Sequence, residues 1–293
     1  MSSVLSIADL VVRFGEGAAA AVDGVSLELQ RGEIFGLVGE SGCGKSTLAN
    51  AVMGLLPPFA SVIGSVRING REVVGLSDAE LRPMRGAEAA MIFQDASASL
   101  DPTWSVGDQI AEALRAHRLG ARAAKARALS LMTEVGIADP ARRYHDPPHR
   151  LSGGMRQRIV IAAALANNPT LLIADEPTTA LDVTIQAQVL QLIDRLRREH
   201  DTTVMLITHD LGVVSQVCDR VGVMYGGRLL ELAAAADLFA HPVHPYTRAL
   251  IAANPAAAPR GARLPVIPAE WSVESLEAAE RFRGASVREV ARL

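Results

Sequence analysis

Hydrophobic and polar residues alternate loosely in two stretches near the start of the chain, residues 4–14 and 22–30, with a Gly/Ala-rich turn between them. A period of two places one face of a strand against a core and the other toward water. Residues 34–38 form instead a continuous apolar run bounded by glycines, which is typical of a strand that is buried on both faces. The pattern therefore predicts two half-buried strands followed by a fully buried one.

Strand-like and helix-like segments then alternate along the chain. Strands that feed helices in this order indicate an α/β fold with a mainly parallel sheet covered on both sides. The predicted elements are a helix at 46–56, strands at 62–68, 89–93 and 171–174, a helix at 183–198, a strand at 204–208 and a helix at 211–217.

Between residues 97 and 149 the pattern changes to Ala/Arg-rich segments with helical periodicity, at 106–119 and 123–135. These segments predict a helical insertion, whose basic residues are interpreted as a solvated helix face rather than as a site for a polyanion. After Tyr246 the sequence is Ala/Pro-rich through Pro268, which is typical of a linker. A charged tail at 272–293 follows, and we leave open whether it is a helix that packs on a partner or a solvated segment.

Composition excludes several classes of protein. Of the 293 residues, 49% are hydrophobic and 21% are charged, as in a folded globular protein, and the net charge of −3 argues against a surface for duplex nucleic acid. Cys43 and Cys218 are the only cysteines, too few for a disulfide framework, which favours a reducing compartment. The longest apolar run, 159–166, is far shorter than the roughly 20 residues that span a bilayer, and no secretory pattern is present. The sequence predicts a cytosolic protein unless a partner holds it at a membrane.

Residues 39–47 read GESGCGKST and fit the phosphate-loop pattern G-x-x-x-x-G-K-[ST], between a buried strand and a helix. Glycines let successive backbone N–H groups point at phosphate oxygens, and the positive end of the following helix adds to the attraction. Lys45 is expected to bridge the β- and γ-phosphates, Ser46 to ligate Mg²⁺ and Thr47 to support the neighbouring phosphate. The alternative is a structural Gly-rich turn.

A second motif, which is acidic, follows the apolar run at 171–174. Asp175 at the predicted strand end can hold Mg²⁺ through water, and the adjacent Glu176 can orient and deprotonate an attacking water. Two adjacent acids could instead cap the next helix.

Ser152, Gly153 and Gly154 lead directly into an apolar helical segment. By itself this is a good helix start with Ser152 as the N-cap. It is also a second anion-binding helix N-terminus that carries a hydroxyl. One nucleotide does not need two phosphate-binding sites from the same chain. The second site would instead serve a nucleotide that is held by a second chain.

Six segments of the chain resemble, in their order along the sequence, the motifs of ABC-transporter ATPase subunits. They are residues 39–47, Gln94, and residues 151–157, 173–176, 180–182 and 208–210. The resemblance covers about residues 14–227. It implies an α/β P-loop NTPase core with a mainly parallel sheet, an N-terminal antiparallel β subdomain and an inserted α-helical subdomain. The implied ABC ATPase domain is 1–255, with the helical subdomain at about 97–158, and 256–293 is a linker and tail.

The resemblance also implies residue roles. Phe14 stacks on adenine, the alternative being a buried strand residue, and Gln94 contacts Mg²⁺ and water while relaying the state of the membrane subunits. Ser152 and Gly154 bind the γ-phosphate held by the opposite subunit, Asp182 links the two sites, and His209 contacts the γ-phosphate. The expected catalytic residues are Glu176, His209 and Gln94; the expected ATP-binding residues are Phe14, Gly39, Ser41, Gly42, Cys43, Gly44, Lys45, Ser46, Thr47, Ser152, Gly153, Gly154, Gln157 and Asp182; the expected Mg²⁺ ligands are Ser46, Gln94 and Asp175.

Five segments are similar to those of oligopeptide and dipeptide importer ATPases. They are residues 92–95, 99–102, 152–158, 178–188 and 244–250. Importers of nickel, glutathione and metallophores share these features. The implied partners are a second ATPase subunit, identical or paralogous, two transmembrane permease subunits and an extracytoplasmic binding protein, but no nucleic acid. The implied location is the cytoplasmic face of the cell membrane, as a peripheral subunit.

Two rival functions remain open. A soluble ABC ATPase that acts on DNA or ribosomes is disfavoured by the single cassette, the short insertion and the negative charge. A regulatory nucleotide binder that does not hydrolyse ATP is disfavoured by Glu176 and His209 together.

Many relatives carry a cysteine cluster in the tail that can hold an iron–sulfur centre, but no cysteine follows Cys218, so we expect no such cluster. The pairs His145/His149 and His241/His244 are interpreted as structural, because no acidic or thiol partner is in range.

Cys43 stands near a helix N-terminus, a setting that can lower a thiol pKa. We therefore expect a thiol-blocking reagent to inhibit and ATP to protect, the alternative being that Cys43 is simply a small residue at a tolerant position.

Overall fold

A computed structural model describes residues 3–15, 17–96, 98–179 and 181–253. The predicted linker and tail at 256–293 and Ala180 of the motif at 180–182 lie outside these residues. The chain divides into two compact units, one made of the residues up to Leu76 and from Met205 onward, the other of Ser77–Val204.

The described elements follow one another as strands interleaved with helices. The strands are β1 (Ser3–Phe14), β2 (Ala20–Gln30), β3 (Ile34–Val38), β4 (Ala60–Ile68), β5 (Arg71–Glu72), β6 (Ala89–Ile92), β7 (Leu171–Asp175), β8 (Thr203–Ile207), β9 (Arg220–Tyr225) and β10 (Arg228–Ala234). The helices are α1 (Lys45–Val52), α2 (Asp78–Leu81), α3 (Val106–Ala116), α4 (Ala121–Glu134), α5 (Pro140–Arg143), a 3-10 turn (Pro148–Arg150), α6 (Gly153–Ala164), α7 (Val183–His200), α8 (Leu211–Val217), α9 (Ala235–Ala240) and α10 (Pro245–Ala252).

The beginning of the chain is an antiparallel sheet. β1 pairs with both β2 and β4, and β4 pairs with β5. The last pair turns at Asn69 and Gly70, both with positive φ (50° and 80°), as a tight hairpin turn requires. The alternating pattern at 4–14 and 22–30 is thus confirmed as an antiparallel N-terminal sheet.

The strand that leads into the phosphate loop lies in a different sheet of the same unit. All five residues of β3 are buried, and β3 pairs in parallel with β9, which pairs antiparallel with β10. A core around Val38, Val214, Val223 and Tyr246 packs beneath these strands. The end of β3, where the loop begins, is therefore anchored in well-packed structure.

The unit Ser77–Val204 contains the acidic motif of Asp175 and Glu176. β6 pairs in parallel with β7, and every residue of β7 is buried. Helix α7 turns Val189, Ile193 and Leu196 toward the core, as its helical periodicity predicts. Parallel strands combined with helices confirm the α/β prediction, while the boundaries of the predicted helical subdomain stay a prediction.

Two boundaries differ from the sequence prediction. The helix predicted at 46–56 ends at Val52, because Met53 caps it and Gly54 takes a positive φ of 61°. The linker predicted after Tyr246 is wrong as far as Ala252, since Pro245–Ala252 is a helix. His244 caps this helix, Pro245 fits its first turn, and Tyr246 and Thr247 are buried, so the segment packs despite its alanine content.

Among the described residues, no helix combines the length and the apolar character that a membrane span needs.

Candidate functional site

The loop at 39–47 joins β3 to α1 and takes a conformation that requires glycine. Gly39 and Gly44 have φ angles of 153° and 103°. A β-carbon at Gly39 would collide with the carbonyl oxygen of Met224, and one at Gly44 with that of Ala21. The loop is therefore pressed against neighbouring backbone, and side chains at these two positions would displace it.

Lys45 fits a role in holding an anion. Its ammonium donates hydrogen bonds to the carbonyl oxygens of Gly39 and Glu40, each at 2.8 Å, and the residue is only 6% exposed. The N-cap of α1 is Gly44, so no side chain caps this helix end, and its first turn contains no acidic residue. A buried positive charge beside an uncapped helix N-terminus matches the charge of a nucleotide phosphate. Ser41, Gly42 and Ser46 are exposed at this loop, whereas Thr47 is half-buried.

Cys43 differs from the prediction. The side chain is buried, and burial raises the pKa of the thiol, an effect that outweighs the opposing influence of the Lys45 ammonium. The prediction of a lowered pKa is wrong, because desolvation disfavours the thiolate more than the nearby charge favours it. Inhibition by a thiol-blocking reagent, with protection by ATP, stays a prediction. The expected cause is now that a group attached to Cys43 blocks the loop sterically.

His209 follows directly after β8 in the same unit as the phosphate loop. The preceding Thr208 donates its backbone N–H to the carbonyl of Leu37 (3.2 Å), one residue before the end of β3. Asp210 caps α8 by accepting from the N–H groups of Gly212 and Val213. The exposed His209 thus lies between a strand end and a helix start, at the edge of the sheet where α/β folds place their binding groups.

Phe14 lies at the end of β1 and is 37% exposed, so the alternative of a buried strand residue is wrong. Its ring lies 6.2 Å from that of Phe59, with the two planes tilted by 59°. Phe59 is 69% exposed and was not identified from the sequence. No motif marks it, and only its position before β4 brings it to Phe14.

The acidic motif at the end of β7 lies in the other unit. Asp175 is buried as the last residue of the strand, and Glu176 follows with a φ of 47°, a region that costs a residue with a side chain about 1–3 kcal/mol. One carboxylate oxygen of Glu176 accepts hydrogen bonds from the Gln94 amide and the Thr179 hydroxyl, each at 2.9 Å. The alternative that these acids cap the next helix is wrong, because Asp182 caps α7.

The fold therefore brings together Gln94 and Glu176, which are 82 residues apart in the sequence. Thr179 is a further partner of Glu176 to which the sequence assigned no role. Its position three residues after Glu176 gives no signal by itself, because the turn that brings the two side chains together depends on the positive φ of Glu176.

Ser152 is the N-cap of α6, where its hydroxyl accepts from the N–H of Met155 at 3.3 Å. Ser152 and Asp182 are exposed, and Gly153 and Gly154 are half-buried. Gln157, one turn further along α6, is 4% exposed, and its amide nitrogen has no hydrogen-bond partner among the residues that the structure describes. The exposed start of α6 is available to a ligand, while Gln157 faces the interior.

Comparison with known proteins agrees with these motifs. Residues 22–179 match the protein family described as ABC transporter. The dipeptide transport ATP-binding protein DppD of Bacillus subtilis is 51% identical over 269 residues, which cover 90% of this chain and 80% of that protein. A probable peptide ABC transporter ATP-binding protein of Sinorhizobium fredii is 52% identical over 271 residues, covering 90% and 81%.

A solved structure resembles the fold as well. It is the dimeric ATP-binding cassette MJ0796 in a post-hydrolysis state with ADP and phosphate. Its TM-score is 0.70 at 29% sequence identity, covering 79% of this chain and 98% of that one.

Proposed function

This chain belongs to the ABC transporter family and hydrolyses ATP, and on that premise we propose that it is the motor subunit of an importer of dipeptides and oligopeptides. One observation carries the substrate class: the similarity to ATP-binding proteins named for peptide transport runs through nine-tenths of the chain. The importer would contain a second ATPase subunit, two transmembrane permease subunits and an extracytoplasmic binding protein. The chain would lie at the cytoplasmic face of the membrane as a peripheral subunit.

In this proposal the loop at 39–47 holds the phosphates of ATP. Lys45 binds the β- and γ-phosphates, the backbone N–H groups at the start of α1 bind phosphate oxygens, and Phe14 stacks on adenine. The buried ammonium and the uncapped helix end support this role. Ser46, Gln94 and Asp175 would hold Mg²⁺, whose chemistry is to neutralise charge on the phosphates.

Glu176 is proposed to act as the general base. It takes a proton from the water that attacks the γ-phosphorus, as the bond from that phosphorus to the ADP oxygen breaks. Gln94 and Thr179 hold one oxygen of the carboxylate, and the positive φ at Glu176 limits where the side chain can point. His209 would contact the γ-phosphate from the end of β8. These contacts support the proposal that the Glu176 carboxylate is held in position for the proton transfer.

The start of α6 is proposed to serve the nucleotide of the second ATPase subunit. Ser152 and Gly154 would bind the γ-phosphate held by that subunit, and Asp182 would link the two sites. The exposure of Ser152 and Asp182 supports this role, as does the dimeric state of the solved cassette with ADP and phosphate. Closure would then depend on ATP, because only its γ-phosphate reaches the opposite subunit.

The proposal is tested by purifying the tagged full chain from membranes and identifying its partners. We expect multi-span permease subunits and a second ATPase to co-purify, together with ATPase activity. A chain that instead co-purifies with ribosomes or nucleic acid would favour the soluble alternative and contradict the importer.

A further inference from the structure

The segment at 244–250, which resembles the tail motif of peptide importers, has no part in the roles proposed above. It comprises the N-cap and the first six residues of α10, and its start is bound to β10. The carboxylate of Glu231 accepts from the backbone N–H groups of Val243 (2.8 Å) and His244 (3.0 Å), and His244 Nδ1 accepts from the N–H of Tyr246 (3.1 Å). Glu231 and His244 are both buried, so water does not compete for these bonds.

Tyr246 extends from this segment to the phosphate loop. The residue is 1% exposed, and its ring lies 4.6 Å from that of Tyr225. Its hydroxyl oxygen accepts a hydrogen bond from the backbone N–H of Glu40 at 3.4 Å. Tyr246 is therefore an aromatic side chain of the core whose polar tip ends on the second residue of the loop.

Both backbone polar groups of Glu40 are thereby held. The carbonyl accepts from the Lys45 ammonium at 2.8 Å, and the N–H donates to Tyr246. Lys45 belongs to α1, whereas Tyr246 belongs to α10, so two independent elements determine the path of the chain at this residue. The N–H bond is the longer of the two, and its loss would loosen the loop at Glu40 while the carbonyl oxygen stays bound to the Lys45 ammonium.

We propose that Tyr246 is a positioning residue for ATP binding, which fixes the beginning of the phosphate loop through the N–H of Glu40. The inference rests on the proposed role of residues 39–47 in holding the phosphates. In this proposal the segment at 244–250 contributes to ATP binding by the phosphate loop of the same chain.

The hydroxyl suits this task over a wide pH range. Burial, first of all, and the negative charge of Glu40 raise the pKa of Tyr246 above that of an ordinary tyrosine. The group therefore stays neutral at physiological pH and accepts the Glu40 N–H without placing a negative charge beside the ATP phosphates.

The test is Tyr246→Phe in the full chain, which removes the hydroxyl and keeps the ring that fills the core. Tyr225→Phe is the matched control, because it removes a hydroxyl from the adjacent ring. Without nucleotide, we expect hydrogen exchange in residues 39–47 to become faster in Tyr246→Phe than in the control. With ATP, we expect the KM to rise by about 3- to 10-fold, the value of one neutral hydrogen bond, with little change in kcat.

Equal exchange and equal KM in the two variants would overturn the proposal, as would a fall in kcat at unchanged KM. A Lys45→Met variant separates this idea from the proposed function. If Lys45→Met binds ATP like the wild type, the role of the loop in phosphate binding fails. The exchange result for Tyr246 would still decide whether its hydroxyl holds the loop.

Discussion

Replacing Glu176 with glutamine is expected to lower the kcat for ATP hydrolysis by about 10²- to 10⁴-fold, the usual contribution of a positioned general base, while ATP still binds. Glutamine has nearly the same shape as glutamate. Its side-chain oxygen can still accept from Gln94 and Thr179, so the turn after β7 should persist. The amide cannot take a proton from water at neutral pH, and only the chemical step is lost.

This effect is measured by steady-state ATPase assays together with direct measurement of ATP binding. Glu199→Gln is a suitable control, because Glu199 lies on α7 in the same unit and its side chain is 52% exposed. We also expect Glu176→Gln to accumulate a closed dimer when ATP is added, since binding proceeds and turnover does not. Normal turnover by Glu176→Gln would refute the assignment of the base.

The second large effect is expected for Lys45→Met, which should weaken ATP binding by about 10- to 100-fold, the value of a charge-assisted hydrogen bond. Methionine fills a similar volume but carries no charge. The carbonyl oxygens of Gly39 and Glu40 also lose the donor that holds them at 2.8 Å, so the loop should relax as well. The loss of the charge and the relaxation of the loop both weaken binding of the ATP phosphates.

Binding is measured by titration with a fluorescent ATP analogue and by calorimetry. Lys125→Met is the control, because Lys125 is an exposed lysine on α4. Thermal unfolding should show that both variants remain folded. A dissociation constant for Lys45→Met within twofold of that of Lys125→Met would contradict the role of Lys45.

The parts of the fold that were predicted correctly depend on local pattern. Ile34–Val38 is a buried apolar run, and the apolar run at 171–174 is a buried strand that extends by one residue to Asp175. Leu211–Val217 has the bounds that the sequence indicates. The strands β9 and β10 and the helix Pro245–Ala252 were missed. They are stabilised by contacts with distant residues, such as the packing of Tyr246 on Tyr225, which no window of the sequence reveals.

The site shows the same division between local and distant effects. The motif at 39–47 identifies Lys45, because the glycine spacing itself creates the loop. The pKa of Cys43 was predicted in the wrong direction, because burial depends on strands far along the chain, such as β9, which lies against Gly39 through Met224. The contacts of Thr179 with Glu176 and of Phe59 with Phe14 likewise depend on backbone geometry rather than on spacing.

The most direct test of the central claim is ATP-driven uptake by the complete importer, reconstituted in vesicles with its permease subunits and binding protein. We predict that a labelled dipeptide or oligopeptide accumulates when ATP is present on the side of this chain. Accumulation should stop when this chain carries Glu176→Gln and persist when it carries Glu199→Gln. Accumulation of nickel, glutathione or a metallophore in place of peptide, or peptide uptake that persists with Glu176→Gln, would contradict the account.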